Sequence, residues 1–275
     1  MRAGENIDAA TVEGFGREWG HYDQGRLRND EAEQIFRSYF GLFDFTGLGE
    51  GFDLGCGSGR WARLVAPRVG KLHCIDPSEA IEVARRNLAG LDNVEFHRAS
   101  ADDIPLADGS QDFGYCLGVL HHIPDLERAL QDAVRKLKPG AQMLIYIYYS
   151  FDNRSRMYRA IWQASDAVRR LVSRLPFPVR RGVTEVVAAG VYWPLARGAR
   201  LVERLGADPS GMPLSAYRSL SYYTMRTDAL DRFGTRLEQR FSRQQIEQMM
   251  KRAGLDQIRF SDSEPYWVAV GRKEG

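Results

Sequence analysis

Short apolar runs alternate with helical patterns over the first half of the chain. Runs at 51–54, 71–75, 94–98, 112–117 and 142–149 have the length and pattern of strands. Between them, 60–66, 80–88 and 126–137 carry apolar residues at i, i+3, i+4 spacing. Strand–helix–strand alternation predicts a parallel sheet with helices on both faces. Ser78, followed by Glu79 and Ala80, is placed as an N-cap, and Pro139-Gly140 as the stop of the 126–137 helix. The rhythm then changes, and from 151 to 234 the spacing is helical without a strand pattern. Met157, Tyr158, Ile161, Trp162, Ser165, Val168, Leu171, Val172 and Leu175 form one stripe that Pro176-Phe177-Pro178 ends, and a second helical stretch covers 183–205. The α/β pattern resumes with Ser242-Arg243-Gln244-Gln245, a capping box opening a helix to Ala253. Runs at 257–261 and 266–270 look like an antiparallel pair closing the sheet. The chain therefore divides into 1–45, 46–150, 151–234 and 235–275.

Composition excludes more than it identifies. The 275 residues are 44% hydrophobic and 27% charged, ordinary globular values that exclude a disordered tail, a collagen-like rod or a coiled coil. No run approaches the ~20 apolar residues needed to span a bilayer. The N-terminal MRAGENIDAATVEGFG lacks a basic-then-apolar signal pattern. Cys56, Cys74 and Cys116 are far apart in strand-like contexts and are expected to be reduced thiols of a cytoplasmic protein, not a disulfide frame or zinc site. A net charge of +2 does not imply wholesale coating of nucleic acid. The charge is nonetheless uneven. From 154 to 204 there are eleven Arg and no Lys against Asp166, Glu185 and Glu203, 11 − 3 = +8, leaving −6 for the rest. That segment suits a solvated helix face, an anionic acceptor, an acidic membrane surface or a partner.

The residues richest in chemistry are Phe52-Asp53-Leu54-Gly55-Cys56-Gly57-Ser58-Gly59-Arg60-Trp61, a strand running through a glycine-rich turn into a helix. Glycines let the backbone turn sharply and let a ligand approach the main chain, and a helix N-terminus favours a negative group. The spacing is G-x-G-x-G, with Arg60 where a dinucleotide fingerprint needs its last glycine, which argues against a nicotinamide dehydrogenase. Asp76 ends the second strand, 76 − 53 = 23 residues on, where a carboxylate can accept both ribose hydroxyls; capping the helix after Pro77-Ser78 is the alternative. Ala101-Asp102-Asp103-Ile104-Pro105 follows the third strand, where an Asp can accept from an adenine amino group while an apolar side chain covers the ring.

In order, FDLGCGSGRW, CIDPS, ASADDIPLADGSQDF, LGVLHHIPD and LKPGAQMLIYIYYS resemble the class I S-adenosylmethionine-dependent methyltransferases over about 51–149. The resemblance implies an α/β, Rossmann-like, mostly parallel seven-stranded sheet with helices on both faces and a helical lid insertion after the fifth strand. S-adenosylmethionine is then the cofactor and S-adenosylhomocysteine the product. Asp53, Gly55, Cys56, Gly57 and Gly59 would hold the methionine part and Asp76, with Pro77 and Ser78, the ribose. Ala101, Asp102, Asp103 and Ile104 would surround the adenine, and Leu117 would border the sulfonium. Phe15-Gly16-Arg17-Glu18-Trp19 and Tyr22 look like the family's aromatic lid segment within 1–45, from which Arg17 or Tyr22 could reach the cofactor carboxylate; a surface helix with two buried aromatics is the alternative. His121-His122 is no metal site on this reading, because neighbouring residues point in different directions and no ligand set lies nearby. It falls at the end of the fourth strand, where His121 either positions or deprotonates the acceptor or is structural with His122.

The implied chemistry is in-line displacement, in which the protein aligns donor and acceptor and excludes water. The insertion at 151–234 is expected to take the acceptor, offering Tyr148, Tyr149, Tyr158, Trp162, Tyr192, Trp193, Tyr217, Tyr222 and Tyr223 beside many Arg. An amphiphilic or anionic metabolite suits it, and O- or C-methylation is expected, as in the branch holding quinone and natural-product methyltransferases. An RNA methyltransferase is the competitor, disfavoured by near-zero net charge and the absence of a Lys-rich tail or recognisable RNA-binding addition. The fourth strand ends Leu-Gly-Val-Leu-His-His, not Asn-Pro-Pro-Tyr. A non-catalytic cofactor-binding partner subunit is the other alternative.

Overall fold

A computed structural model describes residues 6–22 and 27–275. Residues 1–5 and 23–26, part of the sequence read for a leader and of the 1–45 segment, lie outside the described residues. The elements in chain order are α1 (Ala9–His21), α2 (Asn29–Phe40), β1 (Glu50–Leu54), α3 (Ala62–Val65), β2 (Lys71–Ile75), α4 (Ala80–Asn87), β3 (Val94–His97), β4 (Gln111–Leu117), α5 (Leu126–Lys136) and β5 (Leu137–Tyr146). Then follow α6 (Arg156–Val172), α7 (Phe177–Val187), α8 (Trp193–Arg204), α9 (Tyr222–Gly234), α10 (Arg243–Arg252), β6 (Leu255–Phe260) and β7 (Val268–Lys273). The described residues form two compact units, one of 6–22, 33–152 and 237–275, the other of 27–32 and 153–236.

The first unit is a seven-stranded sheet in the order β3-β2-β1-β4-β5-β7-β6. β1 to β5 are parallel and β7 runs antiparallel between β5 and β6. Both sheet faces are buried, so inner strands are apolar on both sides and alternate residues enter different cores. Phe52, Leu54, Ile75, Cys116, Met143 and Ile145 face α5 and α10. Leu72, Cys74, Phe113, Tyr115, Leu144 and Tyr146 face α3, α4 and the Phe36–Phe43 aromatics. The β1–β4 ladder pairs Gly51 with Phe113 and Phe52 with Gly114. A Cβ on Gly51 would lie 2.4 Å from the Phe113 ring and one on Gly114 2.3 Å from the Phe52 ring, so each glycine makes room for the aromatic ring beside it.

Two local expectations shift. Pro139-Gly140 does not stop the helix: α5 ends at Lys136 and both residues lie inside β5, where Gly140 takes φ +78°. α4 starts at Ala80 with Glu79 in the cap position and no side-chain cap bond. Ser78 Oγ still accepts from the Ala80 N–H at 3.1 Å while donating to Asp76. The capping box forms at Ser242 and Gln245.

In the second unit α9 packs on α6 and α7, and a π-type turn over Ala188–Tyr192 joins α7 to α8. Its core is small: Ala188, Tyr192, Ala196, Tyr217, Met225 and Ala229. Much of its interior is polar. Arg169 donates to Asp166 and to the Thr235 carbonyl, Arg180 donates to the Gly234 carbonyl, and Glu31 accepts from Ser221 and Thr224.

Candidate functional site

β1 and β4 are neighbours whose connections leave in opposite directions, to β2 and β5, so the sheet's order reverses between them. The crevice outside the carboxyl ends of such strands is where open α/β sheets bind ligands. The loop leaving β1 carries Gly55, Gly57 and Gly59 at φ +78°, +53° and +79°, a region glycine enters without strain. A Cβ on Gly55 would sit 2.4 Å from the Val119 side chain, so that position also needs glycine for closeness to the turn after β4. The Gly55 and Cys56 N–H groups both donate to the Ile75 carbonyl, which locks the turn to the end of β2. The Trp19 indole lies over the loop, its Nε1 3.2 Å from where a Gly57 Cβ would be, so α1 covers the glycine turn. Arg60, where a dinucleotide fingerprint has glycine, stacks its guanidinium on Trp61 at 4.7 Å.

Three carboxyl groups stand at or beside this crevice in different electrostatic states. Asp53 is 1% exposed, and burial raises its pKa to about 8 against the lowering effect of a 3.0 Å hydrogen bond from Tyr115 Oη. Asp76 is buried, and burial pushes its pKa up against three hydrogen bonds that favour the carboxylate. Those bonds come from the Ser78 N–H and Oγ to Oδ1 and from the Gly57 N–H to Oδ2 at 2.9 Å. Asp76 thus ties the glycine loop to the start of α4, and its two oxygens have room for about one more donor. Asp102 is half-buried; burial pushes its pKa up, but the Ser100 hydroxyl (2.6 Å) and the Asn6 N–H (3.1 Å) outweigh this and hold it low. Ala101 and Ile104 are buried beside it, while Asp103 faces solvent. Pro77 and Ser78 follow Asp76 directly into the turn that opens α4.

The far wall is the turn after β4. Leu117 ends the strand, and His121 and His122 lie in a single helical turn, both buried. His121 stacks on Tyr148 with centroids 3.9 Å apart, and its Nδ1 accepts from the Tyr148 N–H at 3.4 Å. Burial first, then His122 and Arg240, push the His121 pKa well below its ordinary value. The neutral ring therefore carries its proton on Nε2, an assignment that follows from the Nδ1 contact. Nε2 is buried and has no partner among the described residues. In this arrangement Nε2–H is a hydrogen-bond donor. His122 Nδ1 donates to the Leu237 carbonyl at 2.6 Å, and Phe15 of α1 lies 5.1 Å from its ring.

At the N-terminal segment the two candidates separate. Arg17 is exposed and pairs with Glu13 one turn earlier. Tyr22 is buried at 4% exposure and packs edge-on against His21.

Several supporting residues escape a reading of the sequence alone. Tyr115 looks like one more β4 core residue, yet its hydroxyl is the donor to Asp53. Asn6 bonds Asp102 with its N–H and exchanges two bonds with the Asp125 backbone, stitching the loop after β3 to the start of α5. The segment 237–241 re-enters beside the histidines: the Gln239 N–H donates to the His121 carbonyl, and Arg240 lies 5.0 Å over the Tyr148 ring. A polar stretch between helices gives no sign of such contacts before the chain is folded.

The family described as a methyltransferase domain matches residues 52–145. The "uncharacterized methyltransferase YcgJ" of Bacillus subtilis is 31% identical over 101 residues, covering 36% of this chain and 40% of that protein. A demethylmenaquinone methyltransferase of Clavibacter sepedonicus is 36% identical over 94 residues, covering 34% of this chain and 38% of that protein. The match thus spans only about two fifths of the length of these curated relatives. Among solved structures, a Thermotoga maritima S-adenosylmethionine-dependent methyltransferase described as a possible histamine N-methyltransferase superposes with TM-score 0.52 at 19% identity, covering 95% of this chain and 99% of that one. A putative methyltransferase of Bacillus halodurans gives 0.50 at 16% identity, covering 88% and 100%. These structures speak for the fold alone, whereas the family match falls on the strands and loops that build the crevice. Residues 52–145 therefore match a methyltransferase domain, and the resemblance to the class I S-adenosylmethionine-dependent methyltransferases rests on that third of the chain.

Proposed function

We propose that the chain transfers a methyl group from S-adenosylmethionine to oxygen or carbon of a small amphiphilic or anionic acceptor. The observation that carries this reading is the convergence of the Gly55–Gly59 loop, Asp76 and Asp102 from the ends of three neighbouring parallel strands at the switch point. The residues fit the cofactor. The loop's positive-φ glycines leave main chain open to a ligand, Asp76 retains acceptor capacity for ribose hydroxyls, and Asp102 and buried Ile104 offer an acceptor and an apolar cover for adenine. Bound there, S-adenosylmethionine supplies an already activated methyl group on a sulfonium sulfur.

The chain's own part is holding and drying. Asp53, buried and neutral when alone, gains a reason to ionise once a cationic group lies nearby, since an opposite charge favours the carboxylate. Trp19 covers the loop, and Leu117 walls the side facing β4. His121, wholly buried, neutral and stacked on Tyr148, holds the wall after β4 as a positioning residue and is not the acceptor's base. In-line transfer needs alignment and water exclusion more than proton transfer, and this arrangement supplies both.

The acceptor's character rests on the aromatics and arginines of 153–236 and on the likeness of residues 52–145 to proteins that include demethylmenaquinone methyltransferases. Calorimetric titration with S-adenosylmethionine and S-adenosylhomocysteine, with NADH as control, tests the cofactor. Micromolar binding of both adenosyl ligands and none of NADH is expected; folded protein that binds neither overturns the reading. Labelled-methyl transfer across panels of phenolic, quinol and anionic lipid-like acceptors then tests the acceptor. Cofactor binding with no turnover on any acceptor favours a partner subunit, and turnover only on RNA favours the nucleic-acid reading.

A further inference from the structure

Among the described residues, every exposed large apolar side chain lies between 157 and 205. α6 shows the arrangement best. Met157, Ile161, Val168 and Leu171 are 73%, 51%, 47% and 69% exposed, with Ala164 exposed between them. The spacing 4, 3, 4, 3 keeps them within about 40° of one line along the helix. The opposite side of α6 is buried and polar, holding Asp166 against Arg169. The helix thus turns its apolar stripe, with Arg156, Arg159 and Arg170 around it, to water, and buries an ion pair beside Val172 and half-buried Trp162, unlike an ordinary surface helix, whose apolar stripe goes inward. Val179, Val186, Val191, Trp193, Leu201 and Leu205 extend the exposure along α7 and α8.

The charge beside this surface has one sign. The three acids of 154–204 are all engaged by arginine: Asp166 with Arg169 and Arg170, Glu185 with Arg226, Glu203 with Arg218. Arg156, Arg159, Arg174, Arg200 and Arg204 are exposed and make no ion pair among the described residues. Arg156 opens α6 on one flank of the stripe, about 100° from its centre, and Arg174 follows in the turn just after the helix ends at Val172. An apolar stripe bordered by basic side chains is the pattern of a helix lying in the plane of a membrane surface, its apolar face in the acyl boundary and its cations at the phosphates. A second copy of the chain is a poorer occupant, since it would bring two segments of +8 together.

We infer that the apolar, arginine-flanked face of α6, with the apolar residues of α7 and α8, docks on an anionic phospholipid bilayer. This inference is independent of the methyl-transfer reading, because it concerns a surface outside the cofactor crevice and is measured without turnover. No helix of the described residues is long and apolar enough to cross a membrane, so the contact is peripheral.

The test is co-sedimentation of the full chain with 100 nm vesicles of phosphatidylcholine alone or mixed equally with phosphatidylglycerol, at low and high salt. At least tenfold tighter binding to the anionic vesicles, weakened several-fold by high salt, is expected. Ile161→Asp with Leu171→Asp should cut that binding at least tenfold, and Arg156→Glu with Arg174→Glu several-fold. Because the four side chains are exposed, melting temperature and S-adenosylhomocysteine affinity should stay unchanged, which separates loss of docking from misfolding or loss of the cofactor site. Equal binding to both vesicle types, or full binding by the Ile161→Asp/Leu171→Asp protein, overturns the inference. So does a wild-type dimer in solution that the same pair of substitutions converts to monomer, since the face would then be a protein interface.

Discussion

Asp53 makes the folded chain less stable as the solution becomes more alkaline, and replacing it with Asn should remove that dependence. Its pKa is about 8 in the folded chain against an ordinary 3.8. Between those values the folded state keeps a proton that the unfolded state releases, so stability falls as pH rises from about 4 to about 8 and is level beyond. Each pH unit inside that window costs about 1.4 kcal/mol, which makes roughly 2.7 kcal/mol between pH 5 and 7. Asn has nearly the same shape, cannot ionise, and its Oδ1 can accept the Tyr115 hydroxyl now bound to Asp53 at 3.0 Å. Its amide N–H groups find no acceptor there as a matter of course, at a cost of about 1–3 kcal/mol that does not vary with pH. The decisive quantity is therefore the slope. Urea unfolding of both proteins at pH 5, 6, 7 and 8 should show Asp53→Asn gaining about 2–3 kcal/mol on wild type between pH 5 and 7. Asp76, also pushed up by burial, contributes with the same sign in both proteins and largely cancels in the difference. A difference that stays constant across this range would refute the claim that Asp53 is neutral in the free fold. If the carboxylate is kept for a cationic ligand group, the same variant should bind S-adenosylhomocysteine more weakly, and wild-type binding should release protons to the buffer at pH 7, both readable by calorimetry.

Other perturbations separate holding from scaffolding. Asp76→Asn should weaken S-adenosylhomocysteine at least tenfold by calorimetry, and unchanged affinity would remove Asp76 from the site. Gly114→Ala puts a Cβ 2.3 Å from the buried Phe52 ring, so urea unfolding should show a loss of about 1–3 kcal/mol; a loss under ~0.5 kcal/mol would mean that the ladder yields more easily than its packing implies. Trp19→Ala uncovers the glycine loop and should raise the dissociation constant for S-adenosylhomocysteine several-fold while leaving the melting temperature nearly unchanged, since Trp19 is only half-buried. His121→Gln keeps a donor without a basic ring. It should retain most of the turnover and leave the pH profile unmoved, whereas a profile that loses an ionisation would restore a base role.

How much was legible in the sequence follows from how local each signal is. The parallel sheet could be read because both faces of β1, β2, β4 and β5 are buried, which writes apolar runs punctuated by helices into the chain itself. The glycine loop was legible because three positive-φ positions in five residues demand glycine whatever surrounds them. Asp76 and Asp102 were placed by their position at strand ends, but the hydrogen bonds that set their charge come from Gly57, Ser78, Ser100 and Asn6, and a sequence does not say which donors will be near. The Asp53–Tyr115 bond joins residues 62 apart across the β1–β4 ladder and exists only once that register is fixed. α6 is where the sequence leaves most open. A period of 3.6 reveals that a helix has two unlike faces, but not which one the fold buries, and convention assigns the apolar face to the inside. In this helix Asp166 and Arg169 satisfy one another and the Thr235 carbonyl, and that pairing lets the polar side go inward. The apolar side is then left to water at a free-energy cost that grows with its area, unless some other apolar phase receives it. The sequence carried both halves of this arrangement, the stripe and the arginines, but only the folded chain shows that they share one exposed surface.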